Sequence, residues 1–116
     1  MSHNNFKVFK GKAKGLSLLR KKIETFVDTK KISARSIGIE FIEHTQEVII
    51  SLGYSEKGKY APVAITSVNL GVVDLSDTAE MEKLMTAAAT KQKKVICHEL
   101  CVTDKNELIL LFMSTK

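Results

Sequence analysis

The feature that most constrains this chain is a faint echo of itself at a spacing of about 60 residues. Gly11 is answered by Gly71, Ser17 by Asp77, and Glu47-Val48-Ile49-Ile50 by Glu107-Leu108-Ile109-Leu110. Thr29-Lys30-Lys31 falls one residue off Thr90-Lys91-Gln92, and the helical stripes need a shift of about two. In each half the glycine closes a strand, the polar residue stands at a helix start, and the tetrapeptide opens the second strand of a hairpin. A chain of 116 residues makes one domain. Two copies of such a unit must therefore share a core.

Local patterns fill in the unit. Phe6 to Lys10 alternates like a short strand. Leu16, Leu19, Ile23, Phe26 and Val27 then recur at helical spacing, with Ser17 as candidate N-cap and Lys30 and Lys31 in the last turn. Ile37, Ile39 and Phe41 share one strand face, and Val48, Ile50, Leu52 and Tyr54 alternate on the return past His44-Thr45-Gln46. That is a β-hairpin.

The second half repeats the order. Tyr60 to Leu70 reads as a strand, with Pro62 near its start because proline cannot donate to a ladder. Asp77 with Glu80 approximates a capping box, and Met81, Leu84, Met85 and Ala88 form the stripe expected to be buried. VICHELCVT follows, then a turn at Asp104-Lys105-Asn106. ELILLFMS is apolar on both faces, as a central strand covered on both sides would be.

The expected fold is α+β: a pseudo-duplicated βαββ-βαββ, mostly antiparallel sheet with two helices packed on one face. It is a single domain over 1–116, with halves at about 6–55 and 60–115. Exposed sheet edges make a homodimer expected, and a cleft between the units is the expected place for a ligand.

Charge is uneven. Residues 1–35 hold ten lysines and arginines against Glu24 and Asp28, a balance of +8, while the remainder holds eight bases against eleven acids, or −3. Lys7, Lys10, Lys12, Lys14, Arg20 and Lys21 are the candidate contacts for nucleic acid or another anionic partner; the plainer alternative is a solvated helix face. Phe6 and Phe9 lie among Lys7 and Lys10 but point to opposite strand faces, so they make no stacking platform.

VICHELCVT holds the only two cysteines, with a histidine and a glutamate between them. On a strand, Cys97, Glu99 and Cys101 share one face and His98 the other. Cys97 and Cys101 are then ~13 Å apart, too far for a disulfide or a common zinc. The stretch is expected to be structural, with Cys97, His98 and Glu99 as the catalytic candidates if the domain is an enzyme. No metal site and no cofactor are expected. Six glycines without clustering give no phosphate loop or dinucleotide fingerprint.

The longest apolar runs fall far short of the ~20 residues that cross a bilayer, and MSHNNFKVFKGK has no apolar leader. Two cysteines without a disulfide framework point to a reducing cytoplasm. The expected function is a small non-catalytic binding or assembly module. The alternatives are a nucleic-acid-binding domain using the basic N-terminal third, or a small enzyme with a cleft near His98 and Glu99.

Overall fold

The computed structural model describes residues 5–116. In chain order they form β1 (Asn5–Lys12), a 3-10 turn (Ala13–Gly15), α1 (Leu16–Lys30), β2 (Ser33–Ile42), β3 (Glu47–Ser55), β4 (Val63–Val72), α2 (Thr78–Thr90), β5 (Val95–Val102) and β6 (Glu107–Thr115). The α+β class and the βαββ-βαββ order are those expected. The six strands form two three-stranded antiparallel sheets, ordered β1-β3-β2 and β4-β6-β5.

The two sheets are built in matching register. Gly11 pairs with Val48 and Lys12 with Glu47; Gly71 pairs with Leu108 and Val72 with Glu107. Ile37 opposes Leu52 in the first hairpin, and His98 opposes Phe112 in the second. The β2-to-β5 correspondence is thus one residue longer than the spacing of 60 suggests. Cys97 is therefore not the counterpart of Ile37. Each sheet's third strand carries an irregularity at an equivalent place, between Ala34 and Ser36 and between Val95 and Cys97.

Two hydrophobic clusters follow from strand alternation. Ile37, Ile39, Val48, Ile50 and Leu52 face Leu19, Ile23 and Val27 of α1, and the same cluster takes in Val63, Ile65, Ile109, Leu111 and Met113 of the second sheet. Leu110 and Phe112, on the opposite face of β6, pack with Ala88 and Met85 of α2. Helix α1 is therefore held by both sheets, while α2 covers the far side of the second sheet only. Strand β6 is central and buried on both faces, from Leu108 to Met113, as its composition predicts.

Two local details differ from expectation, and one agrees. Ser17 is exposed and caps nothing, because the 3-10 turn extends the helix start back to Leu16 and Gly15 takes the cap position without a side-chain bond. Asp77 does cap α2, its Oδ1 accepting from the Glu80 N–H at 3.0 Å. Strand β4 does not end at Gly71 but runs through it to Val72. A bulge there sets Gly71 at φ +87°, a conformation that favours glycine, and its N–H donates to Asn69 Oδ1 at 2.8 Å.

Of the methionine-rich stripe on α2, only Ala88 is buried; Met81, Leu84 and Met85 are partly exposed. Among the described residues, no helix is long and apolar enough to cross a membrane.

Candidate functional site

The carboxylates of α1 decide where the positive charge of the first unit is left unopposed. Glu24 Oε2 accepts from the Ile65 backbone N–H at 2.8 Å, capping the open edge of β4, and its other oxygen is 4.0 Å from Lys116 Nζ. Asp28 Oδ1 accepts from the Tyr60 hydroxyl at 2.7 Å. That hydrogen bond, with burial and the carboxylate charge added, raises the Tyr60 pKa above its ordinary value. Glu24 and Asp28 are four residues apart, so they lie on one flank of the helix. Both are turned toward the second unit.

The other flank faces β1 and is cationic. Lys22, Phe26 and Lys30 recur every four residues and form a row along it. With Lys21, Thr25 and Leu18 they line an open groove of about 520 Å³ whose inner wall is Phe9. Among the described residues none that lines this groove is acidic. Phe26 sits edge-on between Phe9 and Tyr54, with centroids 6.0 Å and 5.4 Å away, so the apolar wall is a packed aromatic cluster. Lys7 Nζ lies 5.9 Å from the Phe26 ring centre and adds a further cation at the rim. Glu56 stands beyond the groove, in the neighbouring hollow that Lys7 and Lys30 also line.

A second hollow, of about 630 Å³, lies where the two units meet. Lys12, Lys14 and Phe41 come from the first unit, and Thr103, Lys105 and Glu107 from the second. Much of its polarity is satisfied internally: Gln46 Nε2 donates to Asp104 Oδ2 at 3.0 Å, and Lys12 Nζ donates to the Thr45 carbonyl at 3.0 Å. Three bases, Lys12, Lys14 and Lys105, stand against two acids, Asp104 and Glu107. It is the cleft between units that the doubled fold implies, but its polar groups tie the hairpins together.

The six cationic candidates are thus dispersed. Lys7 and Lys21 reach the groove, Lys12 and Lys14 the inter-unit hollow, and Lys10 the outer face of the first sheet. Arg20 lies on the inner side of α1, and its Nε is buried without a partner. Lys22, Lys30, Thr25 and Phe26 are not among the six candidate contacts; the signal for Lys22, Phe26 and Lys30 is the i, i+4 row on the flank opposite Glu24 and Asp28.

The cysteine stretch is split as strand geometry requires. Cys101 is buried in the common core and Cys97 packs against it from a partly buried position; both are free thiols. Burial raises both thiol pKa values; the Glu99 charge adds to this at Cys97 and the Glu40 charge at Cys101, while a backbone hydrogen bond from Ile37 opposes it at Cys97. His98 is on the α2 side, beside Met85 and Phe112. Glu99 reaches the other way, beside Gly38, Glu40 and Ser51. The structure does not bring His98 and Glu99 together. Among the described residues no group of three or more His, Cys, Asp and Glu could hold a metal ion.

Comparison with known proteins gives no matching family model, no matching curated protein and no matching solved structure. The groove on α1 is accordingly judged by its geometry alone.

Proposed function

We propose that this chain is a binding module whose first unit engages nucleic acid through the lysine-rimmed groove between α1 and β1. One observation supports the reading above the rest. Both carboxylates of the basic N-terminal third are committed to the second unit, through Ile65 and Tyr60, so Lys7, Lys21, Lys22 and Lys30 face solvent around an apolar wall. Phosphates suit the lysine rim. Sugar or base surfaces suit Leu18 and Phe26. With no bidentate arginine among the groove residues, the contacts are to backbone charge, and the expected binding is sequence-tolerant.

The test is the salt dependence of affinity for a fluorescent single-stranded oligonucleotide. Four lysine–phosphate contacts give a slope of log K against log salt of about −3. Binding that is absent at low salt, or that shows no salt dependence, contradicts the reading.

A further inference from the structure

Among the described residues, no helix or strand packs over the outer face of the first sheet. Alternation along its strands puts Phe6, Val8 and Lys10 of β1, Gly53, Ser51 and Ile49 of β3, and Ser36, Gly38 and Glu40 of β2 on that face, away from α1. Phe6 is 67% exposed and Val8 58%. The second sheet reaches this face only at its β2 margin, where Glu99 of β5 lies beside Gly38, Glu40 and Ser51. Its β5 lies beside β2, but its inner face shares the α1 core and its β4 edge is capped by Glu24 of α1. The second sheet therefore bends toward the α1 side.

The face has a lopsided relief. Read across the sheet in register, the rows are Phe6-Gly53-Ser36, Val8-Ser51-Gly38 and Lys10-Ile49-Glu40. Large apolar side chains stand on the β1 side, and small ones leave a trough on the β2 side. Charge is divided the same way: Lys10 lies at one margin, Glu40 and Glu99 at the other.

We infer that this face is an isologous interface with a second copy of the chain. A two-fold axis lying between two such faces, parallel to β3, lays β1 of each copy over β2 of the other. Row then meets row: Phe6 over Ser36, Val8 over Gly38, and Lys10 over Glu40 of the second copy. Sheets packed face to face stand ~10 Å apart, close enough for the large side chains to fill the opposite trough. Ridge meets trough and cation meets anion twice over, as a two-fold interface requires. A three-stranded face is at the low end of the ~800 Å² per partner of a standard interface. An interface of that size is expected to be weak and reversible, and the test is set for a Kd on the order of micromolar.

The inference stands apart from the groove on α1, which lies on the other side of the first sheet. Its test is sedimentation equilibrium of the whole chain from about 5 to about 500 µM, a range that brackets micromolar association. The mass rises from 12.9 kDa toward twice that value. V8D holds it at the monomer value. K10E and E40K each weaken association at least tenfold by placing like charges opposite each other, and the K10E/E40K double variant returns it to within about threefold of the original. All three positions lie on this face rather than in the core, and thermal melts confirm that each variant is folded. A mass that stays at 12.9 kDa throughout overturns the inference, the face then being open or the seat of a different partner. So does a folded double variant that fails to recover, which would place Lys10 and Glu40 out of reach of each other.

Discussion

Helices α1 and α2 occupy the same place in two units of the same order, yet one is core and the other is cover. Ile23 and Val27 of α1 are 0% exposed, whereas the single buried residue of α2 is Ala88. The difference lies in what each sheet edge needs. Strand β4 has an open edge, and Glu24 of α1 reaches across to cap it at Ile65. Strand β1 has an open edge too, but among the described residues α1 packs on its face without capping that edge. Lys7, Lys10 and Lys12 line that strand instead, the usual charged guard of an unpaired edge. A repeated local code thus yields one helix with two neighbours and one with a single neighbour. The helix with two neighbours turns its acids inward and its lysines outward.

The sharpest way to break this comparison is to truncate one residue on each helix. Ile23→Ala is expected to cost about 3–4 kcal/mol, because the cavity it leaves lies between both sheets. Met85→Ala, on a partly exposed face, is expected to cost about 1 kcal/mol. Urea denaturation measures both; equal costs would mean that α2 is as much core as α1.

A smaller effect separates the two helix polar anchors. Glu24→Ala removes a charge-assisted bond to a strand edge and is expected to cost about 2 kcal/mol, with faster hydrogen exchange at the Ile65 amide. Asp77→Ala removes only a cap and is expected to cost about 1 kcal/mol. If Glu24→Ala leaves exchange at Ile65 unchanged, α1 does not hold the second sheet in the way described.

The smallest expected effect concerns pH and the shared core. Cys97 and Cys101 have thiol pKa values raised by burial above the ordinary value of about 9. The unfolded thiols release their protons first as pH rises, so the stabilisation is complete below that value and declines above it. Stability measured from neutral into alkaline solution should fall less in a Cys97→Ala, Cys101→Ala variant than in the natural chain. An identical fall would place the alkaline sensitivity elsewhere.

What could be read from the chain followed the range of the forces involved. Alternation at Ile37 and Ile39, and at Val48, Ile50 and Leu52, is a property of neighbours in sequence, and those faces are as expected. The doubly apolar run of β6 disclosed its central position for the same reason. The division of six strands into two sheets was not legible, since it depends on how β2 meets β5 and α1 meets β4. Nor was the fate of the stripe on α2: its spacing shows which residues face inward, but not how much covers them. Gly11 and Gly71 show how an echo can mislead. They match in register, yet a side chain at Gly11 would come within 3.1 Å of Leu19, whereas Gly71 lies in open space at φ +87°. The groove was legible in part. Lys21 and Lys7 were visible as charge, but the withdrawal of Glu24 and Asp28 depends on partners more than 30 residues away.

The most direct measurement of the central claim sets the two units' lysines against each other. Lys21 and Lys22 line the α1 groove; Lys93 and Lys94 are exposed beyond the end of α2. K21Q/K22Q and K93Q/K94Q remove the same charge from the same chain. Across a salt series with a single-stranded oligonucleotide, the first pair is expected to flatten the slope of log K by about 1.4 and the second to leave it unchanged. Equal flattening by both pairs, or by neither, would contradict a binding face confined to the first unit.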